Sequence, residues 1–380
     1  MGITVADSAG HTFELRDRTA ELSAAFAPAF ALCKQAVAER VFPGAALAIS
    51  LGDDLLALRG FGRHTYAEDA EPTTAETIWD LASLTKPIAT VSMAMLLYER
   101  GLLRLEDRVV NLLPGFSTSD DPRRRDVTVR MLLEHSSGLP AHRKLYLEAT
   151  DRPSMVAAAL RVPLEAAPGA RYEYSDIGFI LLGEILESLS HERMDIFCQR
   201  EVFDRFNLNF RFCPHPLTAI TFPPTSNDIA WRGRIIQGEV GDENASAMEG
   251  VAAHAGLFGD ALSVVRFGAF ILRGGQPLFQ PETVRLFTTR ATLPAGTSRT
   301  PGWDTPSAPS QSGTLFSPRS FGHLGYTGTS LWCDPERRLT VALLSNRTWP
   351  DASNQAIKLF RPALHDKVVE CVAKYAGQGV

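Results

Sequence analysis

Apolar positions recur at helical spacing over residues 19–40, where Leu22, Ala25, Phe26, Phe30, Cys33 and Val37 share a face until Pro43-Gly44 breaks the pattern. Two short apolar runs follow, 45–51 and 55–61, on either side of Gly52-Asp53-Asp54, and predict a β-hairpin. Beyond Ser83 the period returns to helix through Ile88, Val91, Ala94, Met95 and Leu97, ending at Gly101. Helices are also predicted over 102–113, 127–135, 178–189 and 195–206, with turn clusters at Pro114-Gly115 and at Ser136-Ser137-Gly138-Leu139-Pro140. Residues 286–319 are rich in Pro, Ser, Thr and Gly and read either as a disordered linker or as a binding loop over a site. Strand-like runs at 329–333 and 339–345 flank Asp334-Pro335-Glu336-Arg337, and 354–375 closes the chain as an amphipathic helix.

The two ends therefore read helix–strand–strand and strand–strand–helix. Their simplest assembly is one antiparallel sheet built from both ends and covered by the terminal helices, an α+β arrangement with a mainly helical second lobe between them. The expected division is a polar segment 1–18, a discontinuous α/β lobe of 19–80 with 262–380, and a helical lobe of 81–261. Ser83 falls where the chain crosses from one lobe to the other, and a catalytic cleft is expected there.

Composition narrows the function classes. A chain of 380 residues with 45% hydrophobic and 21% charged residues has room for such a two-lobed globular fold. A net charge of −5 and a pI near 6.0 argue against nucleic-acid or anionic-membrane partners. No apolar run approaches a membrane span. Residues 1–18 lack a basic-then-apolar signal pattern, which predicts a cytoplasmic protein, or a periplasmic one if a leader has been removed. The five cysteines, Cys33, Cys198, Cys213, Cys333 and Cys371, are scattered without metal-binding spacing and read as buried free thiols. No metal or cofactor is called for.

Candidate chemistry lies in Trp79-Asp80-Leu81-Ala82-Ser83-Leu84-Thr85-Lys86-Pro87. A serine three residues before a lysine at a helix start puts both side chains on one face. A desolvated lysine amine can take the serine's proton, and the serine's own N–H, in the first turn, has no intrahelical acceptor. Taken alone, this tetrapeptide describes a polar first turn with a solvated lysine equally well.

Two further motifs change the balance: Tyr172-Glu173-Tyr174-Ser175-Asp176-Ile177-Gly178 before a helix, and His323-Leu324-Gly325-Tyr326-Thr327-Gly328-Thr329 leading into a strand. In order, they echo the S-x-x-K, S-D-N and K-T-G set of serine β-lactamases and penicillin-binding proteins. The chain resembles that superfamily from about residue 24 to 346. It is most similar to the class C-like branch of class C β-lactamases, D-alanyl-D-alanine peptidases and family VIII carboxylesterases. Phe42-Pro43-Gly44, Leu132 to Pro140 and His254-Ala255-Gly256-Leu257-Phe258 extend the likeness.

The resemblance implies a β-lactamase/transpeptidase-like fold, with Ser83 as nucleophile, Lys86 and Tyr174 managing protons, and the Ser83 and Tyr326 amides as oxyanion hole. Asp176, His323 and Gly325 would then meet the substrate. Tyr174 aligns with the tyrosine of the branch's Tyr-x-Asn motif, supported by Gly178; the competing register reads Ser175-Asp176-Ile177 as an altered S-D-N. Asp176 departs from the usual Asn: an ionised carboxylate favours a protonated Lys86 and cannot donate to a substrate carbonyl. His323 and Leu324 replace a lysine and a threonine, so recognition of a substrate carboxylate should be weaker.

His135 and His254 tempt a Ser-His-Asp reading, but their surroundings look structural. Asp242-Glu243 read as loop residues at the cleft rim. The absence of a G-x-S-x-G elbow argues against an α/β-hydrolase. The expected function is an acyl-enzyme serine hydrolase on small acyl esters, with weak or no β-lactamase activity. A peptidase or amidase acting on cell-wall muropeptides is the runner-up, since segments 237–244 and 302–306 resemble a subgroup with such candidates. A binding protein that captures an acyl ligand without turnover is the rival outside the enzymes.

Overall fold

The computed structural model describes residues 13–117, 120–212 and 221–377. Its main sheet has six strands in the order Arg16–Asp17, Asp54–Gly62, Gly44–Leu51, Leu339–Ser345, Ser330–Asp334, Phe321–Leu324. The two ends of the chain meet where Gly44–Leu51 pairs antiparallel with Leu339–Ser345, Leu47 opposite Leu343. The expected hairpin and closing strands are thus realised within one sheet. Arg16–Asp17, inside the segment read as merely polar, adds an edge strand that runs parallel to Asp54–Gly62.

The central strands are buried on both faces, and their period of two sorts side chains into two cores. Ala45, Leu47, Ile49, Val341 and Leu343 join the helices Ala27–Ala38 and Ile357–Gly377 through Phe30, Cys33, Leu364 and Val368. Ala46, Ala48, Ala342 and Leu344 belong to a second, larger core that continues into the helices of the middle region. On that face Ala261–Leu272 packs at Gly268, where a Cβ would come within 2.6 Å of Thr340 and 2.8 Å of Leu331. Only a glycine lets the helix axis approach that closely.

Several sequence expectations are corrected. The predicted helix over 19–40 is two helices, Thr19–Leu22 and Ala27–Ala38, because Pro28 is tolerated in a first turn and not in an interior. Of the predicted helix over 102–113 only Val109–Leu112 forms. The preceding backbone instead pairs with 127–130, Leu105 O accepting from Arg130 N at 2.7 Å and Asp107 O from Val129 N at 3.0 Å. Residues 286–319 are no disordered linker: Thr300 and Trp303 are fully buried, and Gly302 N donates to Leu133 O. Cys33, Cys198, Cys333 and Cys371 are buried free thiols, and Cys213 lies outside the described residues. Among the described residues no helix is long and apolar enough to cross a membrane.

Candidate active site

Trp79–Asp80 is a two-residue strand paired antiparallel with Leu257–Gly259. The chain then turns sharply: Ala82 has φ of 47°, in the left-handed region a Cβ disfavours, and Ala82–Leu84 forms one 3₁₀ turn. A widened turn, Lys86–Thr90, accommodates Pro87 before the helix Val91–Glu99. The strain at Ala82 aims Ser83, whose side chain is partly exposed, back over Lys86.

Lys86 is completely buried and uses all three ammonium protons: Ser83 Oγ at 3.0 Å, Asp176 Oδ1 at 2.7 Å and His254 O at 3.0 Å. Burial alone would pull this amine down. The Asp176 carboxylate, then the Tyr174 hydroxyl, overcome that and hold it above its ordinary range, so at neutral pH it is an ammonium. The Tyr174 ring centroid is 4.8 Å from Lys86 Nζ. Burial pushes the phenol up, with Lys86 opposing, so Tyr174 remains protonated at neutral pH.

The second motif places Tyr174 and Asp176 through a capped helix start. Ser175 is the N-cap of Asp176–Ser190: its Oγ accepts from Gly178 N at 3.1 Å and donates to Pro140 O at 2.7 Å. Its hydroxyl is thereby spent, and it is Tyr174 that faces Lys86. Asp176 sits in the first turn, where the helix dipole favours a carboxylate, and its second oxygen is 4.0 Å from the half-exposed His142. His135 is structural: Nδ1 accepts from Ser175 N at 3.0 Å, and the ring stacks 5.0 Å from Phe179. Burial, then Arg299 and Lys86, push its pKa well down, so it is neutral.

The third motif lies on Phe321–Leu324 and the loop that follows. His323 is buried, its Nδ1 2.8 Å from Leu324 O. Burial, then Arg299 and Lys86, depress it far below the usual imidazole range. It is therefore not the partly charged group its sequence position had implied. Gly325 abuts the Ser83 turn: a Cβ there would meet Thr329 Oγ1 at 1.9 Å and Leu81 O at 2.6 Å. Thr327 and Thr329 tie the same loop down by donating to Asp80 O at 2.8 Å and Leu81 O at 3.0 Å. Among the described residues neither Ser83 N nor Tyr326 N donates to a backbone carbonyl. The Tyr326 side chain is 65% exposed, with Arg347 4.6 Å over its ring.

Three features escaped the sequence reading. Asp242 is paired: its Oδ1 is 2.8 Å from His254 Nε2, in the residue whose carbonyl holds Lys86. Burial would raise that carboxyl, but His254 drives it well below its ordinary value. Their separation in sequence hid the pair. Arg299, in the aperiodic 286–319 loop, donates to Tyr172 Oη at 2.6 Å and lies 5.4 Å from the Tyr174 ring centroid. Asp80 is buried beneath the Ala82–Leu84 turn.

The Beta-lactamase family profile matches residues 30–361. The chain is 32% identical over 317 residues, 74% of its own length and 71% of the relative's, to a "Putative D-alanyl-D-alanine carboxypeptidase" of Escherichia coli (strain K12). It is 30% identical over 347 residues, 80% of this chain and 77% of the other, to an "N-acetylmuramyl-L-alanine amidase" of Bacillus subtilis (strain 168). Among solved structures, "EstCE1, a hydrolase with promiscuous acyltransferase activity" superposes with a TM-score of 0.73 at 20% identity, covering 91% of this chain and all (100%) of that one. Simvastatin synthase from Aspergillus terreus gives 0.69 at 20% identity, covering 90% and 98%. At that identity these two establish the fold. With the family profile spanning most of its length and a curated relative above 30% identity, the chain belongs to the β-lactamase family, within the superfamily of serine hydrolases that includes the penicillin-binding proteins.

Proposed function

We propose that the protein hydrolyses small carboxylic esters through an acyl-enzyme on Ser83. The observation that carries this is the Ser83–Lys86–Asp176 chain, 3.0 and 2.7 Å long, beside a protonated Tyr174. All three Lys86 protons are engaged, so the amine must give one up before it can accept another. Shifting one across the bond to Asp176 frees it to take the Ser83 proton as Oγ attacks the ester carbonyl. The Ser83 and Tyr326 amides hold the oxyanion. Tyr174 protonates the departing alkoxide and is reprotonated by Lys86, and Asp176 returns the stored proton to the amine. Water repeats the sequence to release the acid.

Esters are favoured over charged peptides because His323, in place of the usual lysine, is buried and neutral. It offers no cation to a substrate carboxylate. The test is a panel of short-chain nitrophenyl esters, D-alanyl-D-alanine peptides, muramyl peptides and a chromogenic cephalosporin. Short esters are expected to lead by at least about 100-fold in kcat/KM, some 2.7 kcal/mol of barrier. The opposite order would favour the second reading, cleavage of a cell-wall peptide amide, which the names of the curated relatives support.

The carboxylate at 176 gives a separate prediction. Asp176→Asn removes the charge that keeps Lys86 protonated and supplies an amide N–H to a substrate carbonyl. Without that charge, burial leaves Lys86 as the free amine, which takes the Ser83 proton directly with no relay through position 176. Ester hydrolysis is therefore expected to hold or rise, and amide and β-lactam turnover to rise with it. A loss of ester hydrolysis beyond about tenfold, some 1.4 kcal/mol, would show the carboxylate itself to be required.

A further inference from the structure

The nucleophile turn carries its strain at Ala82, and the structure contains a group that holds it. Asp80 is 7% exposed, and its two oxygens accept from different elements. Oδ1 takes the N–H of Ala82 at 2.9 Å, and Oδ2 takes that of Gly241 at 2.7 Å. Arg232 pins the far side of the same loop by donating to Val240 O at 2.8 Å and Gly241 O at 2.6 Å. The next residue, Asp242, bonds the imidazole of His254, whose carbonyl holds Lys86. The main-chain oxygen of Asp80 meanwhile accepts from Thr327, beside the Tyr326 amide.

We propose that Asp80 is a positioning residue for Ser83. Its carboxylate clamps the left-handed Ala82 turn to the Gly241 loop, and so fixes the serine relative to the lysine and the oxyanion loop. The inference rests on Ser83 being the nucleophile. The clamp needs two acceptor oxygens, because both partners are N–H donors. Protonation turns one oxygen into a donor facing another donor, which releases one side.

The clamp therefore titrates. Burial raises the Asp80 carboxyl to about 6, against the two amide bonds that lower it. The charged groups that face it are Asp242, which raises it further, and Arg232, which lowers it. Because the folded pKa lies above the ordinary carboxylate value, the clamp is fully made only above about pH 6 and is lost as the pH falls through that value.

Asp80→Asn has the shape of the protonated acid and cannot titrate. With a short-chain nitrophenyl ester, its kcat is expected to fall about 10- to 100-fold while KM stays within about threefold, as for a misplaced reacting group. Wild type should show an inflection of kcat/KM near pH 6 that Asp80→Asn lacks. Gly241→Ala keeps the carboxylate but puts a Cβ 3.1 Å from Oδ2 and 2.7 Å from Thr225. It weakens one amide bond and should move the inflection to higher pH, which tests the clamp even if Asp80→Asn does not fold. Wild-type kcat and an unchanged pH profile in Asp80→Asn, with Ser83→Ala inactive, would overturn the clamp and leave the nucleophile standing. Activity in Ser83→Ala would remove both.

Discussion

Ser83→Ala is expected to abolish ester turnover, with kcat reduced at least about 1,000-fold, and to remove the single adduct that wild type forms with a fluorophosphonate probe. The methyl side chain has no atom on which an acyl group can be carried, so the two-step route closes and only direct attack by water remains. The substitution should be quiet structurally. The side chain is partly exposed, and Lys86 keeps its bonds to Asp176 and to His254 O. Thermal stability within a few degrees of wild type would show that the loss is chemical. Intact-protein mass, read beside steady-state rates on the same preparations, makes the measurement. Hydrolysis surviving in Ser83→Ala would shift attention to the Asp242–His254 pair as a base acting on water. Labelling of wild type without turnover of any ester, amide or β-lactam would instead make this an acyl-binding protein.

The legibility of this site followed how local each signal was. Ser83 and Lys86 were readable because their spacing is one helical turn and their bond forms within it. The hairpin of Gly44–Leu51 and Asp54–Gly62 and the closing strands were readable because a short apolar run bounded by turn residues is a local signal that needs no information from elsewhere in the chain. Residues 102–108 misled for the converse reason. Their apolar spacing suits a helix, but their backbone finds partners in 127–130, which a local pattern cannot reveal. The edge strand Arg16–Asp17 is two residues long and exposed, so it carries no hydrophobic signature.

Asp242 and His254 look unrelated in sequence, twelve positions apart, until Glu243–Ala247 turns the chain back. Asp80 stands within the Ser-Lys stretch, but its role is not legible there, because its second partner, Gly241, is 161 residues away. The substitution at His323 was visible as a changed letter. Its consequence, a neutral ring, depended on burial and on Arg299 and Lys86 nearby. Electrostatic roles come from assembled neighbours, and so appear last.

Lys86→Met is expected to cost both activity and stability, and a second substitution separates the two. The lysine is fully buried with three acceptors around it, and methionine fills much of its volume while satisfying none of them. Asp176, 18% exposed, is left with a charge but no cation in contact. Breaking a buried pair in this way costs about 3 kcal/mol, the lower end of the usual range because the carboxylate retains some access to water. The pH dependence fixes the sign. Lys86 is raised above its ordinary 10.5, so its stabilising contribution is fully present below that value and is lost only as the pH climbs through the still higher folded pKa. Across neutral pH the deficit of Lys86→Met should therefore be flat.

Activity should fall about 1,000-fold or more, because among the described residues no other amine bonds the Ser83 hydroxyl. Lys86→Met with Asp176→Asn removes the unpaired charge, and most of the lost stability is expected to return without activity. Lys86→Arg tests the same point from the other side: it restores a cation, but a guanidinium does not give up its proton. Denaturant titration and kcat on these three proteins decide the matter. Recovery of turnover together with stability, or full turnover with arginine, would reduce Lys86 to a structural cation and require another base for Ser83.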